Sequence, residues 1–260
     1  MTEETNASES EVQITPVEAS VLLSGAEWDP KLLATTLAQE WEITVPEKDL
    51  PADASESLVF EAEGAVIAVK LFEEPLPAEM ARMHAAMNPL WPQAGAMAQL
   101  HRAHLAVAAI PKTASLVEAA QVLVKVVSSL CNQPSALAID TGSTILGTDG
   151  YREGATVMKG GELPLFNLVT FAIAKADETN FVAFTMGMSF LGHNELEIVP
   201  TAEKPEVIQE FLYTVASYTL KTGKGLRDGQ ILGLHPEKAQ TVRYAESSMI
   251  PGLKTMQITL

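Results

Sequence analysis

The sequence has little cysteine, few basic residues and no hydrophobic run long enough to span a membrane. Cys131 is the single cysteine among 260 residues, so no disulfide can form within the chain and a reducing compartment is favoured. Seventeen basic residues against 33 acidic ones give a net charge of −16. Nucleic acids and anionic membrane surfaces attract clustered Lys and Arg. The sequence therefore predicts a cytoplasmic protein with no nucleic-acid or membrane partner.

Several familiar catalytic motifs are also missing. The chain has no Gly-x-Ser-x-Gly hydrolase elbow, no Gly-x-x-x-x-Gly-Lys-Ser/Thr phosphate loop and no Gly-x-Gly-x-x-Gly dinucleotide fingerprint. We therefore predict no cofactor, and a non-enzymatic role is favoured over an enzymatic one. The acidity disfavours acidic partners and favours a protein partner with a basic surface.

The first 17 residues differ in composition from the rest. They contain four Glu and neither Lys nor Arg, and they have too little apolar surface to offset the entropy of ordering. The sequence predicts a flexible acidic tail over residues 1–17 and a single α+β domain over residues 18–260. Residues 18–112 and 113–260 are its two candidate subdomains.

Hydrophobic periodicity predicts alternating strands and helices. In the first half, strands are expected at residues 19–24, 58–62, 65–72 and 103–110, and helices start at Asp29-Pro30 and at Pro77. This βαββαβ order matches a ferredoxin-like unit. The predicted fold class is thus α+β, with mixed or antiparallel sheets covered by helices.

The second half opens with a helix that Ser115 and Glu118 start as a capping box. A strand at 136–140 is followed by a long Gly-rich loop over residues 141–161, which could contain a short strand at 144–146. A hairpin is expected from strands 165–175 and 181–187, and a further strand at 196–199. A helix is expected from Pro205 to Leu220, and terminal strands at 230–234, 241–245 and 253–260.

Three groups of residues are candidates for chemistry. His101 and His104 could share a metal if both lay on one helical face, or they could pack structurally at a helix end. His193, Glu195 and Glu197 alternate, so on a strand they would share one face and could bind a divalent metal or act as an acid–base pair. The alternative is an exposed strand edge with protective charges.

The third group lies in the Gly-rich loop over residues 141–161. Thr141 and Ser143 follow Asp140 directly, and backbone amides in such a loop can hold an anion. The same residues are also common in turns. The loop is therefore a candidate site for a small anionic ligand, with a plain turn as the alternative.

The sequence resembles the bacterial domain of unknown function family 4261. The resemblance rests on residues 91–110, on 163–168 leading into 185–197, and on 226–233. Its most distinctive part is Gly-x-x-x-Leu-Gly-x-x-Glu-Leu-Glu, which runs from Gly187 to Glu197. The resemblance extends over the body from about Val21 to Leu260. It implies no activity and supplies no catalytic residue.

These observations favour a protein-binding or regulatory module that is not an enzyme. One alternative is a metal-dependent or acid–base enzyme that uses His101 and His104, or His193, Glu195 and Glu197. The other alternative is a sensor of a small anion that uses residues 141–161.

Overall fold

The structure is a computed structural model that describes residues 15–233 and 239–260. Residues 1–14, which make up most of the predicted tail, lie outside the described residues, and so does Leu234 at the end of a predicted strand. Val17 was expected in the tail but begins the first strand, where it pairs with Ala109 and is buried.

Two six-stranded sheets form the framework. The first sheet has the strand order β2-β3-β4-β1-β5-β6, with β1 (Val17–Leu23), β2 (Leu58–Ala62), β3 (Ala65–Phe72), β4 (Ala103–Pro111), β5 (Ala136–Asp140) and β6 (Ile145–Gly147). The second has the order β10-β11-β12-β9-β8-β7, with β7 (Thr170–Lys175), β8 (Phe181–Met186), β9 (Leu196–Thr201), β10 (Ile231–Leu232), β11 (Gln240–Glu246) and β12 (Lys254–Ile258).

Seven α-helices occur in the described residues. They are α1 (Pro30–Trp41), α2 (Ala78–Ala86), α3 (Ala94–Leu100), α4 (Leu116–Leu130), α5 (Thr148–Ala155), α6 (Leu165–Leu168) and α7 (Pro205–Thr222). Among the described residues, no helix is both long and apolar enough to cross a membrane. Helices and mixed or antiparallel sheets together confirm the predicted α+β class.

The strand pairing differs from that of a ferredoxin-like unit, although the βαββαβ order is as predicted. In a ferredoxin-like unit one strand separates the two strands that the first helix joins. Here β3 and β4 both lie between β1 and β2, and β4 is antiparallel to each of its neighbours. Element order could not reveal this because either pairing buries the same alternating apolar residues.

Helix α4 holds the two sheets together. It packs on β1 and β4 of the first sheet, and it also contacts α5, α6 and the turn at Ser189–Leu191. Ten of its residues are buried, from Ala119 to Leu130. One continuous hydrophobic core therefore spans both sheets. Strands β1–β6 form the first sheet and β7–β12 form the second, so the chain passes from one sheet to the other between β6 and β7.

A smaller hydrophobic cluster covers the other face of the first sheet. Leu22, Ala138 and Ile145 project from three neighbouring strands toward α2 and α3. Small residues such as Ala81 and Ala98 let these helices lie close to the sheet. Helix α2 is thereby fixed above the ends of β1 and β5, which places its polar residues near Asp140.

The loop predicted over residues 141–161 is only partly correct: the short strand considered at 144–146 is present as β6, but the remainder is mostly helical. It contains β6, α5 and a 3₁₀ turn at Thr156–Gly160. Tyr151 and Ala155 lie one helical turn apart and are both buried, which stabilises a helix despite its glycines. The predicted strand that begins at Leu165 likewise starts with α6, and β7 follows only from Thr170.

Candidate functional site

His101 and His104 are both buried, and each holds the connection between β3 and α2. The backbone N–H of Leu76 donates to Nε2 of His101 at 2.9 Å, and Nδ1 of His101 donates to the Ala98 carbonyl at 2.6 Å. Nδ1 of His104 donates to the Glu74 carbonyl at 2.9 Å. Burial lowers the pKa of His101, so its imidazole is neutral, as an acceptor at Nε2 requires. The two histidines position α2.

Glu195 fixes the turn between β8 and β9. Its carboxylate accepts hydrogen bonds from the Thr185 hydroxyl and from the backbone N–H groups of Gly187, Met188 and Ser189, and also from the Ser189 hydroxyl. These distances run from 2.7 to 3.3 Å. Glu195 is 4% exposed, so its charge is compensated by these donors rather than by water.

Glu197 fixes a different segment. It has no exposed surface, and its carboxylate accepts from the Ser248 backbone N–H, the Ser248 hydroxyl and the Thr255 hydroxyl at 2.6 to 3.0 Å. Burial opposes ionisation, but hydrogen bonds from Ser247, Ser248 and Thr255 together lower the pKa of Glu197. The carboxylate is therefore charged and holds the loop before β12.

The sequence-predicted candidates do not converge on one metal site. Within the described ranges, no group of three or more His, Cys, Asp or Glu residues is arranged to hold a metal ion. Glu195 and Glu197 face separate loops, and His193 borders a cavity at the end of α7. His101 and His104 lie at the first sheet, where β3, α2 and α3 meet.

The Thr141 hydroxyl makes its contacts within a turn, and the Ser143 hydroxyl makes a contact between the two sheets. The Thr141 hydroxyl lies 3.3 Å from the Thr144 carbonyl and from the Thr144 backbone nitrogen. The Ser143 hydroxyl lies 3.0 Å from that of Thr170. This last contact joins the turn before β6 to the first residue of β7, and so connects the edge strands of the two sheets.

His84 is a candidate residue that the sequence analysis missed. Its Nδ1 lies 2.9 and 2.8 Å from the two carboxylate oxygens of Asp140, and both residues are buried. Because a carboxylate only accepts, Nδ1 carries the proton and Nε2 is left as the second polar atom of the ring. One signal was present in the sequence, since His84 falls on the same helical face as the small buried residues Ala81 and Ala85.

Cys131 is not a reactive thiol in this environment. It follows the last residue of α4, and its Sγ donates to the Val127 carbonyl at 3.2 Å. Burial raises its pKa to about 12, so the nucleophilic thiolate does not form near neutral pH.

A cleft of about 610 Å³ opens where the two sheets meet. We call it the inter-sheet cleft. It lies between the α2–α3 connection, the β5–β6–α5 segment and β7 with α6. Most of its large side chains are apolar, and they include Leu90, Trp91, Leu146, Phe166, Phe171 and Ile173.

Polar side chains are a minority of the lining of the inter-sheet cleft, and they are Asn88, Thr144, Thr148, Asp149, Asn167, Thr170 and Gln209. Asp149 is the charged residue among its described lining residues. Thr144 and Asn167 also line it, and in each a buried oxygen has no hydrogen-bond partner within the described part of the chain. Unsatisfied buried oxygens are uncommon in folded proteins, so an apolar cleft that contains two of them has the features of a binding site.

The protein therefore has an α+β fold with an apolar cleft between its two sheets. Residues 184–259 match the model of the family described as "Domain of unknown function (DUF4261)". The predicted resemblance is confirmed over these residues, which contain β9, α7 and the carboxyl-terminal strands. No curated protein and no solved structure matches the chain significantly.

Proposed function

We propose that the protein is a non-enzymatic protein-binding module whose inter-sheet cleft receives an extended segment of a partner. The observation that carries the proposal is the exposed apolar rim. Leu90 is 89% exposed and Phe166 is 55% exposed, and both border the cleft. A small-molecule pocket encloses most of its ligand, whereas an open cleft with such a rim suits a polypeptide that continues beyond it.

The edge strands of the two sheets favour an extended occupant. Within residues 15–233 and 239–260, β6 and β7 each pair with a strand on one side only, and both contribute lining residues. The outer edge of β7 has backbone groups that are not paired in a strand ladder among the described residues. An added strand can satisfy such groups, while alternate side chains of the peptide enter the apolar cleft.

Charge indicates the composition of the segment. Asp149 lies at the cleft in a chain with a net charge of −16. A basic residue beside the apolar anchors would be attracted both by Asp149 and by the overall field. We infer a partner segment of alternating apolar residues with at least one Lys or Arg, in the reducing cytoplasm that the single cysteine favours.

Selection from a phage-displayed library of random dodecapeptides tests this function. We expect the selected peptides to share apolar residues at alternate positions and a basic residue. Binding should change the fluorescence of Trp91, which lines the cleft. It should weaken by roughly tenfold or more in Phe166→Ser and Leu90→Ser, because each removes a large apolar contact.

Val59→Ser is the matched control. Val59 is 49% exposed on β2, outside the cleft, so this variant should bind the selected peptides like the parent. Asp149→Asn should weaken the basic peptides selectively. Selected peptides that bind Phe166→Ser and Leu90→Ser with parental affinity would refute the proposed function.

A second candidate function rests on the His84–Asp140 pair. His84 lines a cleft of about 380 Å³ together with Ser20 and Lys70. A carboxylate that holds Nδ1–H leaves Nε2 free to accept a proton, which is the arrangement of a general base. Water would lose a proton to Nε2 as its oxygen attacks an acyl carbon, and the proton would then pass to the leaving group.

Hydrolysis of p-nitrophenyl acetate at pH 7 tests this candidate. General-base catalysis predicts a rate above that of buffer which falls in both His84→Gln and Asp140→Asn but persists in His104→Gln. A parental rate equal to that of buffer, or equal rates in all four proteins, would exclude it.

A further inference from the structure

A second cavity, of about 500 Å³, lies at the carboxyl end of α7. We call it the glycine-turn pocket, because two turns with glycines in the left-handed region border it, at Gly192 (φ 80°) and Gly223 (φ 66°). It lies within the residues that match the family model. Its polar lining consists of Ser189, His193, Asn194, Thr219 and the backbone at Gly223 and Gly225.

The pocket is rich in hydrogen-bond donors. His193 and Asn194 each contribute a side-chain N–H. The backbone N–H groups of Gly223 and Gly225 have no acceptor among the described residues. None of the described lining residues is acidic, although the chain carries 33 Asp and Glu. Several donors, with no acidic side chain among the lining residues, form an environment that suits an anion. The neighbouring Glu195 carboxylate, which accepts from Ser189, is already compensated by five hydrogen bonds.

Thr219 is a second and independent indication of a ligand. It is 1% exposed on α7, and its hydroxyl has no hydrogen-bond partner within the described part of the chain. Because an unpaired buried hydroxyl is destabilising, a group in the pocket that pairs with it would stabilise the folded protein. Thr219 lines the pocket.

The end of α7 adds acceptors to one side of the pocket. The last carbonyls of a helix have no partner within the helix. They repel an anion but can accept hydrogen bonds from hydroxyl groups, so this side of the pocket suits the hydroxyl part of a ligand and not its phosphate. The cavity is also larger than a single phosphate ion requires. We propose that the glycine-turn pocket binds a small phosphate monoester that carries hydroxyl groups, such as a sugar phosphate.

The turn that carries His193 is already held in place for such a ligand. Glu195 anchors the preceding residues through backbone N–H groups from Gly187 to Ser189, and the His193 N–H donates to the Met188 carbonyl at 3.0 Å. Burial lowers the pKa of His193. A bound phosphate would favour its protonated form.

Thermal unfolding of the full chain with ribose 5-phosphate, inorganic phosphate or ribose tests the proposal. We expect ribose 5-phosphate to raise Tm in a concentration-dependent way, inorganic phosphate to do so more weakly, and ribose to have little effect. His193→Ala and Thr219→Val should each weaken ribose 5-phosphate by about tenfold in Kd, as expected for a lost hydrogen bond to a charged or buried group.

Thr214→Val is the matched control, since Thr214 is an exposed threonine on the same helix and outside the pocket. His193→Gln retains a donor and should recover part of the affinity. Circular dichroism of each variant without ligand identifies any that does not fold. The proposal is overturned if ribose 5-phosphate leaves the parental Tm unchanged, or if the folded His193→Ala and Thr219→Val proteins bind it with the parental Kd.

Discussion

Replacing Glu195 with Gln should destabilise the protein by about 2–4 kcal/mol. One oxygen of Glu195 accepts from Gly187 N, Ser189 N and Ser189 Oγ, and the other accepts from Thr185 Oγ1 and Met188 N. A Gln side chain can keep one set but must present an NH₂ group to the other. Two acceptor contacts are then lost in a buried site. The short one from Thr185 Oγ1 contributes about 1.5–3 kcal/mol as a hydrogen bond to a charged group, and the long one from Met188 N, at 3.3 Å, contributes about 0.5–1 kcal/mol.

Urea unfolding at pH 7, followed by circular dichroism, measures this change. We expect a lower midpoint at an unchanged slope, and a Tm lower by roughly 5–15 °C at about 2–4 °C per kcal/mol for a chain of this size. Glu178→Gln removes an exposed carboxylate on the β7–β8 turn and should change stability by less than about 0.5 kcal/mol. If Glu195→Gln matched Glu178→Gln, the buried carboxylate would not be holding the turn.

Three further predictions concern pH and packing. The pKa of Glu197 is lowered from 4.5 in the folded protein, so the unfolded chain takes up its proton first as the pH falls. The free energy of unfolding of the parent should therefore decrease below about pH 4.5. Urea titrations should find a smaller decrease in Glu197→Gln. The pKa of His101 is lowered from 6.5, chiefly by burial, so parental Tm should begin to fall below about pH 6.5, and less so in His101→Gln. Gly154→Ala would place a Cβ 2.5 Å from Asn167 Oδ1 and should lower the free energy of unfolding, measured with urea, by about 1–3 kcal/mol. The Cβ of Gly150→Ala would meet no atom within 4 Å, so this variant should be neutral or stabilising.

Local signals in the sequence predicted much of the secondary structure because their physics is local. Asp29 caps α1 through the Lys31 N–H at 2.8 Å, and Ser115 with Glu118 forms the predicted capping box. The Glu63-Gly64 turn has both residues in the left-handed region, as a tight hairpin requires. Each of these features depends on residues no more than three positions apart.

Long-range features could not be read in the same way. The order of the first sheet depends on which strand pairs with β4, and its alternating pattern fits either neighbour. The role of Glu195 could not be read from its neighbours in the sequence either. The alternation of His193 and Glu195 predicted that both side chains would lie on one face of a strand. In the structure, the backbone folds around the carboxylate instead. His84 and Asp140 are 56 positions apart, so no local motif could have joined them.

The two proposed sites are built from different parts of the chain, so binding at each site can be tested independently of the other. The inter-sheet cleft is lined by the first sheet, its helices, β7 and Gln209 of α7, whereas the glycine-turn pocket lies within residues 184–259. The motif from Gly187 to Glu197 borders only the second of these. Loosening the turn through Glu195→Gln should therefore weaken sugar-phosphate binding while peptide binding is preserved, at temperatures where the variant is folded. The same reasoning predicts that the segment from Gly187 to Glu197 shapes the pocket, and that the cleft depends on the packing of both sheets.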